Sequence, residues 1–305
     1  TRCLSDWSSD VCSSDLTLKS IGGDAFSYSS FTCELMFPSN LRYIGDYTFQ
    51  YCRNLYGELN LPDKLSYLGS GAFYSCISLS GSLSIPQTIT KIQRSTFTDC
   101  QGLNGILNLH DGITSIEQGA FSNCSFKGEL ILPKNLVNLG TNAFNGCNFS
   151  GELRIPSKLE VINEATFANN SRILGILEIP NNIISISSSA FGNCVSLEGL
   201  ILPKSIENIG SSAFENCFGI GSIVCQSTIP PYMFASAFNG VAKENFTVEV
   251  PESAVADYQT AVGWNEFKRI GAHHELICRP ALANALNTRC TRYLILNARS
   301  EERRV

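Results

Sequence analysis

The chain has 305 residues, a formal charge of −5, 44% apolar residues and 13 cysteines. A mildly acidic balance with no Lys/Arg cluster argues against nucleic acid or an anionic membrane as partner. No apolar run approaches the ~20 residues that a membrane-spanning helix needs, so no membrane insertion is expected.

At the amino end, Asp6 to Leu16 (DWSSDVCSSDL) resembles one translated frame of a common sequencing adapter. At the carboxyl end, Arg299 to Val305 (RSEERRV) resembles a frame of the reverse complement. Residues 1–16 and 299–305 are therefore set aside as adapter-like artefacts; a genuine Ser/Asp-rich leader is the alternative. With the true ends lost, the absence of a signal peptide carries no meaning.

Residues 17–251 repeat one phrase. Aligned on Phe, it recurs at Phe26, Phe49, Phe73, Phe97, Phe121, Phe144, Phe167, Phe191 and Phe214, with gaps of 23 or 24. A fixed period in the twenties is the mark of a solenoid, in which each coil buries its apolar face only against its neighbours. About ten coils are expected. Each opens on an L/I-x-x-I/L step, often followed by Gly, as in Leu41/Ile44/Gly45 and Leu136/Leu139/Gly140. Ala or Thr always precedes the Phe, which implies close backbone packing at that turn. The aromatic ring then supplies the largest share of each coil's interior.

Three residues after Phe stands Cys, at Cys52, Cys76, Cys100, Cys124, Cys147, Cys194 and Cys217, with Ser29 and Asn170 in the other two places. One column of parallel side chains suits disulfides poorly. These thiols read as buried, reduced and acting as small hydrophobes. With no His or acid in the column, a metal ladder is the weaker reading, and no metal or other cofactor is expected.

Each coil closes with a short strand ending in Pro, such as Gly57-Glu-Leu-Asn-Leu-Pro62 and Gly128-Glu-Leu-Ile-Leu-Pro133; His110 replaces Pro once. The period-2 pattern is that of a half-buried strand, and Pro ends pairing at a shared height. Ten strand positions, from Leu35 to Val248, would stack into a parallel sheet. The residues alternating outward are Glu58/Asn60, Ser82/Ser84, Ile106/Asn108, Glu129/Ile131, Glu152/Arg154, Ile176/Glu178 and Gly199/Ile201. A regular interior behind a variable exterior is how a rigid scaffold presents a binding face, although a merely soluble face is the simpler account of any one residue. The ligand-binding candidates are Glu58, Asn60, Ile106, Asn108, Glu129, Ile131, Glu152, Arg154, Ile176 and Glu178.

The pattern L-x-x-I-G-x-x-A-F-x-x-C, followed by a strand and Pro, resembles the BspA-like leucine-rich repeat family over about Leu18 to Pro251. The resemblance implies a leucine-rich-repeat solenoid with a parallel β-sheet on the concave face. Short helical or 3-10 turns and short strands would form the back. It also implies a bacterial cell-surface or secreted protein that adheres to a protein or peptide ligand, host matrix and cell-surface proteins included. Departures are Asn170 for Cys, His110 for Pro, and the irregular segment Gln226–Glu244 with Pro230-Pro231.

Residues 252–271 read as a C-terminal cap. Glu252 or Ser253 would start a helix, and Tyr258, Trp264, Phe267 and Ile270 would cover the last coil. The tail 272–298 fits no repeat. Its His273-His274-Glu275 lacks the second His of a zinc-protease helix, and Cys278 and Cys290 lack a CxxC spacing. No phosphate-cradling loop or nucleophile elbow occurs. The expectation is a non-enzymatic adhesion module. A recognition domain of a larger secreted enzyme, or a structural surface spacer, is the alternative.

Overall fold

The computed structural model describes residues 18–245 and 247–273. Both adapter-like stretches, Cys278, Cys290 and all but the first two residues of the tail lie outside them. Within them the chain is a stacked series of small coils, built as a parallel β-solenoid with little helix.

The L-x-x-I step pairs from coil to coil as two-residue parallel strands. Ser20–Ile21, Tyr43–Ile44 and Tyr67–Leu68 form one row, and Lys91–Ile92, Ser115–Ile116 and Asn138–Leu139 a second. Val161–Ile162, Ser185–Ile186, Asn208–Ile209 and Tyr232–Met233 form the third. Glycine after the step is required by proximity: a Cβ on Gly45 would lie 2.4 Å from the Gly23 nitrogen. On Gly69 it would lie equally close, 2.4 Å, to the Asp46 nitrogen.

The Phe turn follows a different rule. Two residues before and two after the Phe, the backbone is left-handed, as at Gly71 (φ 59°) and Ser75 (φ 56°) around Phe73. This alternation aims every second N–H at the next coil. Gly71, Phe73 and Ser75 donate to the carbonyls of Arg94, Thr96 and Thr98 at 2.8–2.9 Å. Gly, Asn, Asp and Ser are common at these positions because they tolerate positive φ best. The last turn of the column, Ala235–Phe238, is instead a 3-10 helix. There Ala237 and Asn239 donate back to Phe234 O and Ser236 O, as Ala72 and Tyr74 do to Gly69 O and Gly71 O.

Inside, the phenyl rings form one continuous stack from Phe26 to Phe238, with centroids 5.0–6.0 Å apart and planes within 14°. Phe238 extends the column beyond Phe214. Its signal was present in the sequence, 24 residues on and preceded by Ala237, but Pro230-Pro231 masks the phrase. Where Thr replaces Ala it does so with its hydroxyl bonded: Thr48 Oγ1 donates to Gly45 O at 2.8 Å and Gly22 O at 3.0 Å.

The strand phrases keep their alternation, with Leu59, Leu83, Leu107, Leu130, Leu153 and Leu177 all buried. The backbone ladder between them is less continuous than the repeat suggests. Leu83–Ser84 pairs with Leu107–Asn108, whereas the phrases at Leu59, Leu130 and Leu153 form no strand at those leucines. A five-stranded parallel sheet then runs through Gly175–Glu178, Leu197–Leu202, Ser222–Cys225, Thr247–Val250 and Arg269–Ala272. Gly57, Gly81, Gly128, Gly151 and Gly175 open their phrases at φ 81–91°, outside the β region, and the register slips at Gly175/Ile176. Gly199 lies within an ordinary six-residue strand, and from there the ladder is unbroken.

At the carboxyl end, a 3-10 turn Glu252–Ala254, a helix Val255–Thr260 and a second 3-10 turn Trp264–Glu266 cover the last coil. Trp264 is fully buried and its Nε1 donates to Pro231 O at 2.9 Å, while Tyr258 OH donates to Ser227 O at 3.0 Å. The irregular prolines therefore serve the cap. Arg269–Ala272 then adds a further strand to the sheet.

Candidate functional site

The outward residues of the strand phrases form two columns along the stack. In the first, Glu58, Ser82, Ile106, Glu129, Glu152, Ile176 and Gly199 succeed one another coil by coil. In the second stand Asn60, Ser84, Asn108, Ile131, Arg154, Glu178 and Ile201. Neighbours in a column touch. A Cβ on Gly81 would lie 3.0 Å from Glu58 Cγ and one on Gly175 3.3 Å from Glu152 Cγ, while one on Gly199 would meet Ile176 Cγ1 at an ordinary 3.6 Å. Asn108 Nδ2 donates to Ser84 Oγ at 3.0 Å, and Glu178 and Ile201 are register partners. At Gly57, Gly81 and Gly175 the glycine thus has a second role, clearing room for the preceding coil's glutamate.

All ten candidate residues are exposed. Ile106, Ile131 and Ile176 are 54%, 66% and 38% accessible, which places three large aliphatic side chains in water on one face. Ile201, the fourth aliphatic of the expected set, is half-buried, and Gly199 is buried. Among charged groups the face holds Glu58, Glu129, Glu152 and Glu178 against Arg154. Its one ion pair, Arg154 Nη2 to Glu152 Oε2 at 3.9 Å, is open to solvent and adds little to stability.

The remaining chemistry-bearing residues have structural partners. Each Cys of the column donates its thiol to the carbonyl of the preceding coil's Phe: Cys76 to Phe49 at 3.0 Å, Cys124 to Phe97 at 3.1 Å, Cys217 to Phe191 at 3.1 Å. A column of small hydrophobes was the expectation from sequence; the donor role is added by the stack. His110 accepts from Gly112 N at Nδ1, 3.1 Å, so its proton sits on Nε2 and is donated to Pro86 O at 3.0 Å. It replaces proline's rigidity with two local bonds. Among the described residues no group of three or more His, Cys, Asp or Glu is arranged to hold a metal ion. No helix among them is long and apolar enough to cross a membrane.

Known proteins share this organisation. A family described as BspA type leucine rich repeat region matches residues 11–104, 105–220 and 170–249, with six copies. Among solved structures the chain is similar to a leucine-rich cell surface protein from Faecalibacterium prausnitzii A2-165, at 20% identity and a TM-score of 0.47, covering 88% of this chain and 82% of that one. It is also similar to the pneumococcal vaccine antigen PcpA, at 19% identity and a TM-score of 0.46, covering 84% and 71%. A leucine-rich repeat protein from Bacteroides ovatus ATCC 8483 follows at 18% identity and a TM-score of 0.38, covering 69% and 77%. No curated protein matches the chain.

Proposed function

The chain belongs to the BspA-type leucine-rich repeat family, and from that premise we propose that it is a non-enzymatic surface or secreted module that binds a protein ligand. The strand-phrase face is the binding surface. The observation that carries this reading is the exposure of Ile106, Ile131 and Ile176 among carboxylates on adjacent coils of a rigid stack. Aliphatic side chains held in water are worth removing from it, and rim charges then tune the encounter. With four carboxylates and one Arg on the face, the partner presents basic and apolar groups. A broad, shallow face suits an extended protein surface better than a small molecule.

The test has two steps. Host-matrix and cell-surface proteins are screened for binding to the intact chain. Ile131→Asp/Ile176→Asp is then compared with Val137→Asp/Ile184→Asp, whose side chains are exposed on the L-x-x-I side of the coils. The first pair should abolish binding and the second should leave it intact. The reverse result would move the binding surface to the back. Failure of every protein to bind would favour a structural spacer.

A further inference from the structure

The edge of the stack where the prolines turn carries a second feature, which borders the aliphatic face and shares Glu178 and Ile201 with it. On earlier coils, polar side chains at this edge are paired from coil to coil: Lys64 Nζ with Asn40 Oδ1 at 2.8 Å, Lys134 Nζ with Asp111 Oδ2 at 2.6 Å, Lys158 Nζ with Asn135 Oδ1 at 2.8 Å. Along the same edge lies a cleft of about 460 Å³ formed by four successive coils. Ser157, Glu178, Asn181, Asn182 and Gln226 line it; Asn182 Nδ2 donates to Leu159 O, whereas no side-chain hydrogen bond is formed by the other four among the described residues. Pro180 and Ile201 form an apolar wall beside them. The cleft exists because the next coil lacks the proline turn: after Cys225 the chain runs into Gln226-Ser227, and Pro230-Pro231 is drawn off to the cap through Trp264.

We infer that this cleft binds a neutral pyranose sugar, with a vicinal hydroxyl pair donating to the Glu178 carboxylate and further hydroxyls meeting Ser157, Asn181 and Gln226. The lining decides the ligand class by what would be left unpaired. Two carboxamides and a hydroxyl both donate and accept, while the carboxylate only accepts. An anion would face Glu178 with no cation lining the cleft. A lysine ammonium donates only, so it would leave the carboxamide N–H groups without acceptors. Sugar hydroxyls donate and accept, and the C–H face of the ring fits the Pro180–Ile201 wall. This goes beyond the protein-binding reading: the cleft shares Glu178 and Ile201 with that face, and adds Ser157, Asn181 and Gln226 from the proline edge.

The experiment is saturation-transfer NMR on the intact chain. The probes are glucose, galactose, mannose and N-acetylglucosamine, with Nα-acetyl-lysine amide as the competing amine. At least one sugar should bind saturably. Glu178→Gln, and separately Asn181→Ala/Gln226→Ala, should each weaken it about tenfold or more, the scale of losing hydrogen bonds to a charged group. Equal denaturation midpoints would show that the variants still fold. No saturable sugar binding, sugar binding unmoved by both variants, or stronger binding of the lysine amide would each overturn the inference. Ile131→Asp/Ile176→Asp separates the two proposals: it should remove a protein ligand and leave sugar binding intact.

Discussion

Asn170 occupies a place in the thiol column that the cysteines fill better. Its Nδ2 reaches Phe144 O at 2.8 Å, Phe167 O at 3.0 Å and Ala168 O at 3.2 Å, but its Oδ1 is buried without a partner. A thiol would keep the bond to Phe144 O and remove the orphaned acceptor, whose desolvation costs about 1–3 kcal/mol. Asn170→Cys should therefore raise the urea midpoint, and a lowered midpoint would show that the three amide bonds outweigh the orphan. Phe121 tests the same scale from the other side. It is fully buried between the rings of Phe97 and Phe144, 5.4 Å from each. Phe121→Ala should cost about 3–5 kcal/mol, because neighbouring coils cannot collapse into the gap. Asn60→Ala, on the exposed face, should cost little; equal losses would place the coil register wrongly.

Among elements, the strand Thr247–Val250 carries the clearest pH dependence. Glu249 points to the outer side of the sheet between Val224 and Gly271, yet its side chain is only 15% exposed. Burial raises its carboxyl from 4.5 to about 7, with His273 Nδ1 4.0 Å away. A raised folded pKa means that the native state holds the proton more tightly than the unfolded chain. The favourable term is then fully present below about pH 4.5 and lost as pH rises through about 7, amounting to about 3 kcal/mol. Glu249→Gln should match the parent protein near pH 4 and exceed it in stability near pH 8. Parallel midpoint curves across that range would refute the assignment. The same scale shows where the sequence was readable. The L-x-x-I step and the strand alternation were legible because burial recurs with fixed spacing. The left-handed turn was legible in principle, since Asp99, Asn123, Asn193 and Asn216 all stand two residues after Phe with φ near 60°. The interrupted ladder was not, because it depends on how the backbones of two particular coils meet.

For the molecule as a whole, the stack protects its thiols collectively. Burial pushes Cys100, Cys147 and Cys217 up to about 12 and raises Cys76, Cys124 and Cys194 as well. The thiolate is the reactive form, so a thiol reagent should label the column only after unfolding. Among the described cysteines Cys33, which is half-buried, should react first in native buffer. Mass spectrometry showing column cysteines labelled as fast as Cys33, or joined as disulfides, would contradict the buried stack. The sequence by itself determined the coil: its period, the Phe, Cys and Pro columns, and the outward facing of all ten candidate residues. Those features follow from residue type at a repeated position, where every coil makes the same contacts. The tertiary structure alone decided which coils pair through their backbones, where Phe238 ends the ring stack, why Glu249 is buried and where the polar cleft opens. These depend on how one particular coil meets the next, and a departure such as Pro230-Pro231 acts through contacts with Trp264, 33 residues away, that no repeated position records.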